Sequence, residues 1–236
     1  MPRLPRFILP GVAVHVIQRG NDRMACFRED SDYLMYLAHL RQLAERYECE
    51  VHAYVLMTNH VHLLLTPRAA DACMGLMRDL GQRYVQYFNR RHERTGTLLE
   101  GRYRSCLVES SAYVLACYRY IESNPVRAKM VDHPVGYLWS SYAVNSGMRS
   151  DPLVAAHPEF LGLGLEAGAR HAAYRALVEQ DLDPAVVRAI REATNGDYPL
   201  ASDVFKASSI SPLGRRTERQ KAGRKAKSPD GLYAVE

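Results

Sequence analysis

The sequence lacks the usual marks of secreted and membrane proteins. Its five cysteines form no CxxC pair, and their odd number argues against a disulfide framework. No apolar run approaches the ~20 residues of a transmembrane helix, and no signal peptide precedes the first motifs. No internal repeat is evident either. We therefore expect a cytoplasmic protein without a membrane span.

The composition is compatible with one large domain and an extension. At 236 residues the chain is longer than one typical domain and shorter than two. Its 47% hydrophobic content is ample for a packed core. Lys and Arg exceed Asp and Glu by 31 to 26, which alone is weak evidence for nucleic-acid binding.

One apolar run, 51–67, carries two histidines separated by a single valine. Thr58-Asn59 interrupts this run, which predicts a turn between two strands of a hairpin. Because side chains alternate along a strand, His60 and His62 project from the same face. Neutral imidazole is a common metal ligand, so the pair indicates a divalent-metal site.

A later segment, 113–125, supplies a reactive oxygen and a third ligand. Its interior favours a helix, and Pro125 marks a boundary. Tyr120 and Asn124 are four residues apart and share one helix face. Asn124 can offer an amide oxygen to a metal, and Tyr120 a phenolic oxygen as nucleophile. With the two histidines, this set meets the needs of phosphodiester cleavage through a covalent phosphotyrosine.

Each of these residues also has an ordinary structural interpretation. The chain has fifteen tyrosines, and Tyr113 and Tyr118 lie on the same predicted helix as Tyr120. Asn124 before Pro125 is also typical of a helix stop followed by a new helix start. Two further histidines are interpreted as structural: His15 and His52.

The predicted order of elements is β-α-β-β-α-β. This order is that of an α+β, ferredoxin-like split βαβ antiparallel sheet with two helices on one face. The helix of Tyr120 must then cover the other face to meet His60 and His62. Apart from the hairpin, the predicted segments are a strand at 12–19, a helix at 30–47, a helix at about 70–89 and a strand built from 98–99 and 106–108.

Six motifs occur in order along the first 142 residues: GVAVHVIQRGN (11–21), DYLMYL (32–37), MTNHVH (57–62), GRYRS (101–105), YIESNPVRA (120–128) and WSSY (139–142). Together they resemble the REP-associated tyrosine transposases, a branch of the single-tyrosine HUH transposases, where HUH means His-hydrophobic-His. The resemblance implies a domain that nicks and rejoins single-stranded DNA near short hairpins through a 5′-phosphotyrosine. It implies Tyr120 as the nucleophile, and His60 and His62 as metal ligands. Asn124 matches the position of a third polar ligand, whose identity varies among relatives.

Basic and planar side chains predict the DNA-binding surface, because single-strand binders combine cations with rings that stack on bases. Near the motifs, the expected contacts are Arg19, Asn21, Arg102, Tyr103, Arg104 and Arg127. Among residues 215–227 the only acid is Glu218, so we interpret this segment as a disordered, phosphate-binding arm, with a solubilising tail as the alternative. Its expected contacts are Arg215, Arg216, Arg224 and Lys225.

These observations predict a nuclease domain at 1–145, a helical extension at 146–214 and a basic tail at 215–236. The predicted activity is a metal-dependent, single-stranded DNA endonuclease and strand transferase acting at hairpins. We expect Mg²⁺ or Mn²⁺, and imidazole ligands favour the softer Mn²⁺. The alternatives are a catalytically silent hairpin-binding protein and an HUH replication initiator or relaxase. The sequence does not decide between a monomer that uses its own tyrosine and a homodimer that exchanges tyrosines.

Overall fold

The computed structural model of the protein describes residues 6–214 and 217–218. Four of the expected DNA contacts lie outside these residues: Arg215, Arg216, Arg224 and Lys225. Within the described ranges, no helix is long and apolar enough to cross a bilayer.

Four strands and nine α-helices, together with four short 3-10 or π helices, make up the regular structure of the described residues. The strands are β1 (Ala13–Arg19), β2 (Cys49–Met57), β3 (His60–Pro67) and β4 (Arg104–Val108). The first four helices are α1 (Asp30–Arg46), α2 (Ala72–Arg91), α3 (Ser110–Glu122) and α4 (Asn124–Arg127). The later helices are α5 (Tyr142–Asn145), α6 (Pro158–Leu161), α7 (Ala167–Val178), α8 (Pro184–Gly196) and α9 (Asp203–Phe205).

The strands form one antiparallel sheet in the order β2-β3-β1-β4. This order, with α1 and α2 between the strands, confirms the predicted ferredoxin-like α+β fold. The predicted turn at Thr58-Asn59 joins β2 to β3. In the register of β1 and β3, His62 lies opposite Ile17, and His60 lies opposite Arg19.

The fourth strand is shorter and later than predicted. Leu99 forms only an isolated bridge with Gly20, and the ladder to β1 begins at Arg104. Between them, Gly101 has a φ of +54°, a left-handed conformation that interrupts an extended chain. The apolar pair Leu98-Leu99 packs against the core from a loop, which is why its composition suggested a strand.

Alternation along the strands builds a different layer on each face of the sheet. Val14 and Val16 point to one face, where they pack with α1 and α2. Ala13 and Leu64 point to the other face, where they pack with α3. The helix of Tyr120 therefore covers the face opposite α1 and α2, as predicted.

Two helices of the segment after residue 145 pack on that second face as well, whereas its Leu153 and Ile210 lie in the cluster on the α1–α2 face. Tyr174 of α7 and Ile190 of α8 are fully buried in the same apolar cluster as Tyr118 of α3. Helix α8 contacts both β4 and β1. The extension thus adds to the layer over this face of the sheet, and the predicted division of the chain near residue 145 stays a prediction.

Candidate active site between β3 and α3

His60 and His62 lie side by side on the sheet face that α3 covers, with ring centroids 5.1 Å apart. The His60 Nδ1 atom is 2.7 Å from Asn59 Oδ1. Asn59 Nδ2 donates to the Arg23 carbonyl, which fixes the orientation of the amide. The acceptor oxygen of Asn59 therefore faces His60, so His60 carries its proton on Nδ1 and has a free lone pair on Nε2.

His62 forms a hydrogen bond with His15, a histidine that the sequence predicts to be structural. His15 Nε2 is 2.9 Å from His62 Nδ1, and the two rings stack with centroids 5.1 Å apart. His15 is fully buried. His15 therefore holds the His62 ring in place and is part of the site. Its position in the sequence does not predict this role. His52 instead bonds Thr66 and the Ala155 carbonyl, as a structural histidine does.

Both candidate ligands are held in the neutral form. Burial lowers the pKa of His60 to about 4, with a further contribution from the charge of Arg19. Burial also holds the pKa of His62 well below its usual value. A metal ion requires a deprotonated nitrogen, so no proton has to be displaced from either imidazole at neutral pH.

Tyr120 faces these histidines from α3. Its ring centroid lies 5.7 Å from that of His62 and 5.8 Å from that of His15, both in edge-to-face geometry. Elsewhere on α3, Tyr118 packs on Phe160 and accepts a hydrogen bond from the His157 amide. Of the tyrosines on this helix, Tyr120 is thus the one whose ring contacts the His60–His62 pair.

Arg127 lies over the Tyr120 ring. Its Cζ lies 4.3 Å from the ring centroid, and its guanidinium donates to the Tyr120 carbonyl. Burial lowers the pKa of Arg127 to about 10, so the group remains charged at neutral pH. Its Nε has no hydrogen-bond partner. A cation with a free donor therefore lies beside the phenol.

Asn124 begins the short helix α4, with Pro125 in the first turn. The backbone therefore shows a new helix start at Asn124-Pro125, which is the structural alternative for Asn124 given above. The Asn124 side chain does not cap that helix, however, because the cap position belongs to Ser123. Its Nδ2 is buried without a partner. A buried donor without a partner is costly, and an acceptor such as a phosphate oxygen would satisfy it.

Helix α3 is anchored by the buried carboxylate of Glu122, which is not among the predicted site residues. Glu122 accepts hydrogen bonds from Ser141, Asn145 and Tyr174. Burial raises its pKa to about 7, against the opposing effect of these donors. Glu122 thus ties the helix that carries Tyr120 to the extension. The only sequence signal was its place in the YIESNPVRA motif.

Three of the expected DNA contacts meet at the sheet edge. Arg19, Arg102 and Arg104 line one small pocket, together with Asn195 of α8. Arg104 donates to Asn195 Oδ1 at 2.8 Å. Because no motif marks residue 195, the part played by the extension in this surface was missed. Glu100 also lines this pocket, 3.9 Å from Arg104, so three cations and one carboxylate lie next to β1, the strand that pairs with His60.

The two remaining expected contacts at this edge differ in exposure. Asn21 is exposed in the turn after β1. Tyr103 is buried, and the Arg6 guanidinium lies 3.7 Å over its ring. Because Arg6 covers the ring, a base can stack on Tyr103 only where Arg6 moves away, and this contact stays a prediction. Its neighbours Arg102 and Arg104 are exposed.

A separate group of possible ligands lies on the α1–α2 side of the sheet. Within the described residues, Glu29, Asp32 and His92 are the one set of three His, Cys, Asp or Glu side chains close enough to share an ion. Asp32 already accepts from the Arg28 amide and from His92. It also completes the capping box of α1 with Glu29. These contacts join α1 to the end of α2.

A ferredoxin-like sheet that carries His-hydrophobic-His beneath a tyrosine-bearing helix defines the single-tyrosine HUH class of proteins. Residues 9–124 match the family model of IS200-like transposases, and this part of the chain belongs to that family of DNA-processing enzymes. The resemblance inferred from the sequence is thereby confirmed. No curated protein gives a significant match.

The solved structures that are similar to the chain include two transposases. One is a REP-associated tyrosine transposase bound to a REP hairpin, with 15% identity and a TM-score of 0.51 over 67% of this chain and 93% of the other. The second is described as a transposase from Deinococcus radiodurans, with 20% identity and a TM-score of 0.36 over 55% of this chain and 92% of the other. The first similarity shows a shared fold, and the second is too weak to carry an argument.

The metal-free protein is expected to lose stability between pH 7 and pH 5. The pKa of His15 is about 3 and that of His52 about 4, both lowered by burial from 6.5. The unfolded chain therefore binds more protons below pH 6.5, and each histidine costs about 2 kcal/mol of stability at pH 5. The contribution of Glu122 to stability has the opposite sign, because its pKa is raised and the folded state binds its proton more readily. It offsets the loss caused by about one histidine. Urea midpoints at the two pH values measure the difference.

The histidines account for the loss only if the midpoint is lower at pH 5 than at pH 7. A midpoint that is equal or higher at pH 5 contradicts their burial as neutral groups. In Glu122→Gln the opposing contribution of Glu122 is absent, so the urea midpoint should fall further between pH 7 and pH 5.

Proposed function

We propose that this protein nicks and rejoins single-stranded DNA beside short hairpins, with Tyr120 as the nucleophile and a divalent metal ion as cofactor. The observation that carries the proposal is the contact of the Tyr120 ring with His62, on the face where His60 also lies. Membership of residues 9–124 in the IS200-like transposase family supports DNA as the substrate.

The donor atoms suit Mg²⁺ or Mn²⁺. His60 and His62 would supply two neutral imidazoles, each with its Nδ1 engaged and its Nε2 available. Asn124 would supply an amide oxygen, and its buried Nδ2, which has no hydrogen-bond partner, could donate to a phosphate oxygen. When bound, the metal ion would polarise the scissile phosphate and offset the charge that develops on it. Imidazole ligands favour Mn²⁺ over Mg²⁺.

Tyr120 performs the covalent step. Its oxygen forms a bond to phosphorus, the bond from phosphorus to the ribose 3′-oxygen breaks, and the phenolic proton is balanced by the one that the 3′-hydroxyl gains. The products are a 3′-hydroxyl and a 5′-phosphotyrosine. Arg127 lies over the ring and can donate its unpartnered Nε–H to a phosphate oxygen. A 3′-hydroxyl then reverses the step and rejoins the strand.

The hairpin partner is supported by the similar structure that carries a REP hairpin. The pocket lined by Arg19, Arg102 and Arg104 provides the positive charge to hold the flanking strand. The basic tail from residue 215 would add phosphate contacts. Tyr120 lies against His62 of the same chain, so one chain contains both the proposed nucleophile and the proposed histidine ligands.

A denaturing gel tests the proposal directly. The protein is incubated with labelled single-stranded hairpin DNA from beside its own gene, in Mn²⁺, Mg²⁺ or EDTA. We expect a covalent protein–DNA adduct that forms with metal and is absent with EDTA. Tight hairpin binding without an adduct in either metal would favour the silent-binder alternative. An adduct that forms equally in EDTA would remove the metal from the proposal.

Asn124→Ala should weaken the binding of the metal ion without abolishing hairpin binding. The substitution removes one of three proposed ligands, and the missing side chain makes no hydrogen bond through its buried Nδ2. We expect the Mn²⁺ concentration for half-maximal adduct formation to rise about 10-fold. An unchanged Mn²⁺ titration would exclude Asn124 from the metal site, while the gel-shift affinity for the hairpin serves as the control.

A further inference from the structure

The extension reaches the candidate metal site through a chain of hydrogen bonds. Thr194, near the end of α8, is fully buried, and its Oγ1 lies 2.8 Å from His15 Nδ1. His15 Nε2 in turn lies 2.9 Å from His62 Nδ1. One buried hydroxyl is therefore linked to the candidate ligand His62 through a single imidazole.

The direction of this chain is set at its far end. Thr194 Oγ1 lies 2.8 Å from the Ile190 carbonyl, one turn earlier on α8. A carbonyl can only accept, so the Thr194 hydroxyl proton points to Ile190. Cys106 Sγ, at 3.2 Å, then donates to Thr194 Oγ1. The oxygen has no second proton, so at His15 it must act as an acceptor.

The protons of both histidines follow from this direction. His15 carries its proton on Nδ1, because Thr194 accepts there, and its Nε2 is a lone pair. The His15 lone pair then needs a donor, which is the Nδ1–H of His62. His62 Nε2 is left without a proton. This is the form of imidazole that can bind a metal ion through Nε2.

We propose that Thr194 is a positioning residue that acts through His15 to hold His62 in the Nδ1–H form, so that the helical extension prepares the metal site. His60 is held in the same form by Asn59, a residue of its own hairpin. Both candidate ligands thus present Nε2 to the metal site. The proton position of His60 is fixed by its own hairpin, and that of His62 is fixed by α8. The metal-binding part of this inference rests on the proposed function.

Loss of the Thr194 hydroxyl is expected to reverse the chain. In Thr194→Val, a proton on His15 Nδ1 would be buried without an acceptor. The proton is better placed on Nε2, where His62 Nδ1 can accept it. His62 would then carry its own proton on Nε2, the nitrogen required for the metal. Thr194→Ser keeps the hydroxyl and should restore the original arrangement.

The first test reads the protons of the metal-free protein. Long-range proton–nitrogen NMR spectra of the full chain with ¹⁵N-labelled histidine distinguish Nδ1–H from Nε2–H rings. We expect His15 and His62 as Nδ1–H in the wild type and in Thr194→Ser, and as Nε2–H in Thr194→Val. A wild-type His62 in the Nε2–H form would overturn the inference, whatever the nuclease assay shows.

The second test measures Mn²⁺ affinity by electron paramagnetic resonance. We expect Thr194→Val to bind Mn²⁺ about 10-fold more weakly, with Thr194→Ser close to the wild type. The matched control is Thr66→Val, which removes the buried hydroxyl at 2.8 Å from His52 Nε2 and should leave Mn²⁺ affinity unchanged. Equal weakening by both valine variants would overturn the inference as a general effect on folding.

Failure of the inference and failure of the proposed function are distinguishable. A wild-type protein that binds no Mn²⁺ contradicts the proposed cofactor and, with it, the metal-binding part of the inference. The proton assignment of His62 is read without metal and stands or fails separately. If Thr194→Val keeps both wild-type affinity and the Nδ1–H form of His62, the proposed function survives and the inference is wrong.

Discussion

Tyr120→Phe should eliminate the covalent protein–DNA adduct. The substitution removes one oxygen atom and keeps the ring that contacts His62, His15 and Arg127. The loss of a nucleophile is expected to lower the rate of adduct formation by more than about 10³-fold. The measurement is the denaturing gel in Mn²⁺, with thermal unfolding to show that the variant is folded.

Hairpin binding supplies the internal control for this variant. Because the phenolic oxygen acts only in the covalent step, the gel-shift affinity of Tyr120→Phe should remain close to that of the wild type. The matched control is Tyr113→Phe, which removes the hydroxyl of a half-buried tyrosine seven residues earlier on α3. If Tyr120→Phe still forms the adduct at the wild-type rate, another residue is the nucleophile and the proposed chemistry is wrong.

The sheet and the position of α3 could be predicted because local rules decide them. Alternation puts His60 and His62 on one face regardless of what covers it. The turn residues Thr58-Asn59 set the hairpin, and the β-α-β-β-α-β order leaves one sheet face for α3 to cover. The predicted fourth strand was wrong at its start because the positive φ of Gly101 cannot be read from composition.

The support of the site could not be predicted, because it depends on contacts distant in sequence. His15 and Thr194 are 179 residues apart, and α8 carries no motif. Nothing in the periodicity of α8 shows that its Thr194 faces a histidine of β1. Glu122 is similar: its partner Tyr174 lies 52 residues later, in a helix that was placed only as part of an extension.

His60→Ala should produce the largest loss of metal affinity with the least structural damage. His60 is half-buried, and its ring nitrogen bonds Asn59 of its own turn, whereas removal of His62 would also break a buried bond to His15. Loss of a residue that only orients a ligand costs about 10- to 100-fold in metal affinity, so loss of the ligand itself should cost more than about 100-fold. Mn²⁺ titration followed by electron paramagnetic resonance measures the change.

Adduct formation by His60→Ala at a fixed, low Mn²⁺ concentration should fall in parallel, and excess Mn²⁺ should restore part of it. The control is His133→Ala, which removes an imidazole paired with Glu179 on the surface and should change neither quantity. If Mn²⁺ affinity stays at the wild-type level in His60→Ala, the metal is bound elsewhere. The neutral state of His60, with its pKa lowered by burial, would then reflect packing alone.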